Sequence, residues 1–307
     1  MLRLTALFLI IATFSFAGCE SLSKTQPLPE PTKPMVTAPV EPPKPAIKAP
    51  PKIALALGGG AARGFSHIGV IKALEAQGIH PDIVVGTSAG SVVGALYAGG
   101  FNGFELQKLA IQLDETSISD WSLPDRGFFK GEGLQNFINR TLSNRPIEKL
   151  KRPFAAIATE LQTGEMVAFR RGDTGIAVRA SASVPGVFQP VSINGRDYVD
   201  GGLTSPVPVK TARSMGADIV IAVDISARPK LGKTVGSLDM LLQTFSIMGQ
   251  SIATYELAGA DIVLRPDNGP MAAGDFQSRH LAILEGEREV LEKLPRIREK
   301  IAQFMAR

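Results

Sequence analysis

From residue 52 onward, short runs that are apolar at every position alternate with longer stretches whose apolar residues recur every three or four positions. Ile53–Leu57 is a run of the first kind and reads as a buried strand. Arg63–Gln77 is of the second kind: Ile68, Ile71 and Leu74 share one helical face, and the pattern stops at Gly78. Asp82–Val85 reads as a strand and Ala89–Ala98 as a helix of small residues. Phe154–Glu160 and Glu165–Arg170 read as strands, and Val191–Val199 folds back on itself at Asn194-Gly195. Ile219–Ile225 is a further buried strand, followed by helices over Leu238–Leu257 and His280–Phe304 with the short strand Ile262–Leu264 between them. Strands without a polar face must be covered on both sides. The alternation therefore predicts an α/β fold, a three-layer α/β/α sandwich around a mainly parallel sheet, spanning residues 52–307. Residues 101–150 break the rhythm and gather Phe101, Phe104, Trp121, Phe128, Phe129 and Phe137, as the core of an inserted helical region or an apolar lid. In Leu238–Leu257 the polar residues Gln243, Ser246, Gln250 and Glu256 suit a soluble helix, which favours a core helix over a membrane contact.

The first 51 residues follow another logic. Leu4–Phe16 is apolar after the single basic residue Arg3, too short to span a bilayer and of the length of a signal-peptide core, which assigns residues 1–18 to a signal peptide. Ala17-Gly18-Cys19 then resembles a lipobox, in which the cysteine is lipidated and becomes the new N-terminus; Phe16 stands where leucine is usual. Two acyl chains would anchor stably, at about 0.8 kcal/mol per buried methylene. By resemblance to lipoproteins of Gram-negative bacteria, Glu20 after the cysteine directs the chain to the outer membrane, facing the periplasm. Residues 19–51 carry ten prolines between Pro27 and Pro51 and no periodic apolar face, so they form an extended tether.

Composition narrows the chemistry. A net charge of +4 with no run of five or six basic residues excludes a nucleic-acid partner. One cysteine rules out an internal disulfide framework, and three histidines spread over positions 67, 80 and 280 have no metal-ligand spacing, so no metal is expected.

Three local strings carry candidate chemistry. Gly58-Gly59-Gly60-Ala61-Ala62-Arg63-Gly64 joins a strand to a helix; such a loop lets backbone N–H groups face negative charge, whether of a phosphate or of an oxyanion. It lacks the strict dinucleotide fingerprint, because Arg63 occupies the last glycine position, and it has no P-loop lysine. Gly86-Thr87-Ser88-Ala89-Gly90 has the nucleophile-elbow pattern, with Gly86 and Gly90 allowing close packing of strand on helix around Ser88; a tight turn with a capping serine is the plain alternative. Asp200-Gly201-Gly202 places a carboxylate on a flexible turn, which is either a simple turn or the base that a serine hydroxyl needs.

In this order the three strings resemble the patatin-like phospholipase family. The likeness continues through Arg63–Val70, similar to the family's first helix, and through Ala182-Ser183-Val184-Pro185-Gly186-Val187-Phe188 before the aspartate strand. It covers roughly residues 52–225. The resemblance implies a patatin-like fold and hydrolysis of lipid acyl esters by a dyad, with Ser88 as nucleophile and Asp200 as base. Backbone N–H groups around Gly59, Gly60 and Ala61 would form the oxyanion hole. Arg63 would steady the loop or face an anionic head group. The substrate would be a membrane lipid or another acyl ester, with no cofactor. The family often has glycine at the position of Ala61. Ser88, Asp200 and His280 also satisfy the order of an α/β-hydrolase triad, although His280 reads as a helix-start residue. Acyl transfer, thioester cleavage and non-catalytic lipid binding remain alternatives. Oligomeric state is not legible.

Overall fold

The computed structural model describes residues 49–113, 129–226 and 236–306. The signal peptide, Cys19, most of the tether, Trp121 and Phe128 lie outside them.

A mixed sheet organises the chain. Its strands are β1 (Ile53–Leu57), β2 (Ile83–Thr87), β3 (Phe154–Glu160), β4 (Met166–Phe169), β5 (Val191–Ile193), β6 (Arg196–Asp200), β7 (Ile219–Val223) and β8 (Ile262–Leu264). The order is β5-β6-β3-β2-β1-β7-β8, with β4 pairing β3 off this path. The contiguous block from β3 to β8 is parallel, and β4, β5 and β6 add antiparallel pairs at one side. Side chains alternate along each central strand. Ile53, Leu55, Leu57, Ile219, Ile221 and Val223 enter one core, while Ala54, Ala56, Val220 and Ala222 enter another on the opposite face.

Helices α1 (Phe65–Ala76), α2 (Ala89–Gly99), α3 (Gly103–Gln112) and α8 (Arg279–Met305) contribute to the first core. Helices α6 (Val209–Ser214) and α7 (Ser237–Leu257) cover the second. The expected three layers are thus present. Two more helices, α4 (Glu132–Thr141) and α5 (Thr174–Ser181), pack against each other, and α5 is capped by Asp173, which accepts from the Ile176 N–H at 2.7 Å. The hairpin turns at Asn194 and Gly195, both at positive φ (51° and 78°) as its two-residue turn requires.

Two expectations need correction. β2 continues to Thr87, past Gly86, because strand and following helix meet there: a Cβ on Gly86 would lie 2.3 Å from the Gly90 carbonyl oxygen. Helix α7 is a core helix only at its C-terminal end, where it buries Ala253, Glu256 and Leu257. Further along it, Gln243, Ser246 and Gln250 line a cavity beside Leu242, Phe245 and Met248, whereas Met240 (61% exposed) and Ile247 (50%) face outward. Among the described residues no helix is long and apolar enough to cross a membrane.

Candidate active site

Ser88 sits between β2 and α2, with φ 52° and ψ −123°. A non-glycine residue in that region costs about 1–3 kcal/mol, so the surrounding packing must impose it. It does so through glycines: a Cβ on Gly90 would lie 2.2 Å from the Leu57 carbonyl oxygen, so α2 can pass over β1 only without one. The Ser88 N–H donates to Ser181 Oγ (3.0 Å), and the Ser88 carbonyl accepts from Ser91 Oγ and the Ser91 N–H. The strained turn is pinned on both sides while its hydroxyl stays at the wall of a cavity, 9% exposed overall.

Asp200 ends β6 and is buried. Its N–H donates to the Ser183 carbonyl, its carbonyl accepts from Thr159 Oγ1 at 3.0 Å, and its Oδ1 accepts from the Gly202 N–H at 2.7 Å. Oδ2 is buried and has no well-formed hydrogen bond. Burial pushes the carboxyl up to about 6; the neighbouring Ser88 hydroxyl and the Gly202 N–H hold it down. The hydroxyl thus lies close enough to act on the carboxylate, although no bond of good geometry joins the two in this resting arrangement.

The glycine loop arrives from the end of β1. Gly58 donates to the Val223 carbonyl and Gly59 to the Pro206 carbonyl, each at 3.0 Å. Their N–H groups are spent on holding the loop. The N–H groups of Gly60 and Ala61 have no acceptor among the described residues. Gly59 approaches Ser88 so closely that a Cβ on it would lie 3.2 Å from Ser88 Cβ. Ala61 has φ 51°, a conformation that favours glycine. A 3-10 turn, Ala61–Gly64, carries the chain into α1.

Two side chains brace this loop. Arg63 donates from Nε to the Ile225 carbonyl (2.9 Å) and from Nη1 to the Met271 carbonyl (3.2 Å), so it ties the loop to two distant segments. His67 is fully buried on α1 and its Nε2 lies 2.8 Å from the Gly58 carbonyl oxygen. That partner can only accept, so Nε2 carries the proton. Burial drives the imidazole down to about 4, against the smaller opposing effects of the Gly58 bond and Asp224, and Nδ1 has no partner.

Ser88, Asp200 and the glycine loop meet at one apolar cavity of about 1080 Å³. Its walls come from α2 (Val92, Val93, Leu96), α3 (Leu106, Leu109, Ala110), α4 (Leu134, Phe137) and α7 (Leu242, Phe245, Met248), together with Val184–Phe188. Phe129 and Phe137 of the aromatic cluster line it, whereas Phe104 is 66% exposed on α3. A chamber of this size and character accepts a long apolar group and presents one polar corner.

All three sequence strings therefore converge. His280 does not join them: it is exposed at the start of α8 and does not line the cavity. Sequence reading did not single out Ser181, the Ile225 and Pro206 carbonyls or the cavity walls Leu106, Leu109, Leu134, Leu242 and Phe245. Each lies far from the motif it serves and consists of common residue types.

Comparison with known proteins agrees with this arrangement. Residues 55–213 match the family model described as patatin-like phospholipase. An uncharacterised NTE family protein of Mycobacterium tuberculosis is 37% identical over 179 residues, covering 57% of this chain and 49% of that protein. Patatin-like phospholipase domain-containing protein 6 of Homo sapiens is 37% identical over 184 residues, which is 57% of this chain but 13% of the much longer relative. The crystal structure of VipD from Legionella pneumophila shares the fold, with a TM-score of 0.56 at 14% identity over 80% of this chain and 67% of that one. The match over more than half of the sequence, with its motifs gathered around one cavity, makes this chain a member of the patatin-like phospholipase family.

Proposed function

We propose that the chain is a serine-dependent lipid acyl hydrolase, of the phospholipase A, lysophospholipase or carboxylesterase type, working through Ser88 and Asp200. The carrying observation is the corner of the cavity. There a strained serine, a buried carboxylate with one unpaired oxygen and a loop with two free N–H groups meet at the end of an apolar chamber. Asp200 withdraws the Ser88 proton as Oγ attacks the acyl carbon. The carbonyl oxygen becomes an alkoxide facing the N–H groups of Gly60 and Ala61, each such donor contributing about 3 kcal/mol. The ester C–O bond breaks, and Asp200 returns the proton to the departing alcohol. Water then repeats the sequence: Asp200 takes its proton, hydroxide adds to the acyl carbon, and Ser88 leaves with the proton as the fatty acid is freed. Every step uses side chains and backbone of the chain itself, with no cofactor. A carboxylate held near 6 is ionised at neutral pH yet more basic than an exposed one, which suits this role.

The substrate in this reading is a membrane lipid, reached by a chain lipidated at Cys19 in the outer membrane and facing the periplasm. Helix α7 supports work at a lipid surface. Its exposed side chains include Met240, Ile247 and Met248, and Met248 also lines the cavity, so one apolar side chain borders both the outside and the chamber.

The test is release of fatty acid from a short-chain ester and from phospholipid vesicles by the full-length protein, its Ser88→Ala variant and its His280→Ala variant. Activity lost in Ser88→Ala by about 10³-fold or more and kept in His280→Ala supports the dyad. Equal loss in both would restore the triad. Acylated acceptor in place of free fatty acid would make the enzyme a transferase.

A further inference from the structure

Between the Asp200 turn and α6 runs a short segment, Thr204–Pro208, that touches every part of the site. The Ser205 carbonyl accepts from Thr87 Oγ1 at 2.8 Å, and Thr87 is the fully buried residue just before Ser88. The Pro206 carbonyl accepts from the Gly59 N–H at 3.0 Å. The Ser205 N–H donates to the Gly201 carbonyl at 2.8 Å, beside Asp200. Elbow, oxyanion loop and aspartate turn are therefore all referred to two consecutive residues, Ser205-Pro206, with Val207 following.

These residues are themselves gripped from outside. Glu256, near the C-terminal end of α7, is 6% exposed and accepts from the Ser205 hydroxyl with one carboxylate oxygen and from the Val207 N–H, at 2.9 Å, with the other. Ala253 and Leu257, on either side of it, are anchored in the second core. The grip thus has a fixed base, although the rest of α7 is largely exposed. Both segment groups donate, so the site calls for two acceptors on one side chain, which a carboxylate supplies. Burial raises the pKa of Glu256, and the Ser205 and Val207 bonds, with a smaller effect of Lys210, oppose the rise. A buried carboxylate of this kind is costly unless its bonds do something the fold needs.

We infer that Glu256 is a positioning residue of the active site: by clamping Ser205 and Val207 it fixes the two carbonyls that aim the nucleophile elbow and the oxyanion loop at one point. It does not touch the substrate, since it does not line the cavity. The inference rests on the hydrolase reading only for its kinetic readout.

The test uses the full-length protein and its Glu256→Ala, Glu256→Gln and Ser205→Ala variants. The readouts are kcat and KM for a soluble short-chain ester, melting temperature, and the rate at which a fluorophosphonate labels Ser88. Labelling needs an aimed nucleophile and oxyanion loop but no turnover. An unmodified protein that is labelled but cleaves no ester therefore defeats the hydrolase reading while leaving the clamp testable. Glu256→Ala is expected to lower kcat and the labelling rate together by about tenfold or more, with KM within about twofold. Glu256→Gln is expected to recover to within about threefold of the parent. Its oxygen keeps the Val207 bond, and its amide can donate to a Ser205 hydroxyl turned to accept. If Glu256→Ala does not fold, Ser205→Ala reports instead, with one of the two bonds removed and an expected loss of about threefold in both rates. Unchanged kcat and labelling in the folded alanine variants, a loss confined to KM, or a glutamine variant as impaired as the alanine one would overturn the proposal.

Discussion

Replacing Asp200 by asparagine should abolish activity and yet stabilise the fold at neutral pH. Burial raises this carboxyl from its ordinary value near 3.8 to about 6. The folded state therefore binds the proton more tightly than the unfolded chain does. The linkage follows from that sign: the folded state is unpenalised below pH 3.8, loses stability as pH rises toward about 6, and carries the full penalty above it. At about 1.4 kcal/mol per decade of proton affinity, the ionised carboxylate costs on the order of 3 kcal/mol at pH 7. Asparagine removes that charge with little change of shape. Its carbonyl oxygen can keep the Gly202 N–H bond of 2.7 Å, and its amide replaces an oxygen that has no well-formed bond. For a domain of this size, 3 kcal/mol corresponds to roughly 6–12 °C in melting temperature. The assay is thermal unfolding of the parent and Asp200→Asn between pH 4 and 8, beside ester hydrolysis over the same range. The two melting curves should nearly coincide at pH 4, diverge up to about pH 6 and remain a constant distance apart above it. Parent activity should rise with pH over the same interval, because in the proposed dyad Asp200 acts only when ionised. An asparagine variant that melts with or below the parent at pH 7, or a difference that ignores pH, would refute the electrostatic account of this site.

His67 gives the opposite pH signature. Its imidazole is held down to about 4 by burial, so protonation favours the unfolded chain, and stability present above about pH 6.5 should fall by about 3 kcal/mol as pH drops toward 4. His67→Gln, which keeps an N–H for the Gly58 carbonyl, should flatten that acid limb in urea unfolding at stepped pH; an unchanged limb would place the acid sensitivity elsewhere. On α7, Met240→Lys and Ile247→Lys replace exposed apolar side chains and should leave short-chain ester hydrolysis within about twofold while lowering hydrolysis of phospholipid vesicles about tenfold. Equal loss on both substrates would mean damage to the cavity, and no loss on vesicles would remove the helix from the lipid surface.

What could be read from the sequence was whatever the backbone decides locally. β1, β3 and β8 have the predicted bounds; β1 and β8 are apolar throughout, and β3 is apolar from Phe154 to Ala158 before its buried polar end, Thr159 and Glu160, so each announces itself as a run. The three site strings were legible for a related reason. Each is a place where the chain needs unusual dihedrals or close approach, and glycine marks both. Gly86 shows where that reasoning misleads. By composition it ends a strand, but in the structure it remains inside β2, because its missing side chain is what admits α2. Ser181 and Glu256 gave no signal at all. A serine 93 residues from the Ser88 N–H it accepts from, and a glutamate 51 residues from the Ser205 hydroxyl it binds, are recognisable only once the sheet has brought them together. Helix α7 was misread for a deeper reason. Its periodicity shows which residues share a face, but not whether that face meets a core, a cavity or the outside. On the cavity side of α7, Leu242 and Phe245 stand beside Gln243 and Ser246, a mixture that a packed core rejects and a cavity wall tolerates. Only the last turns, through Ala253 and Leu257, meet a core, so one period along the sequence covers two different surroundings.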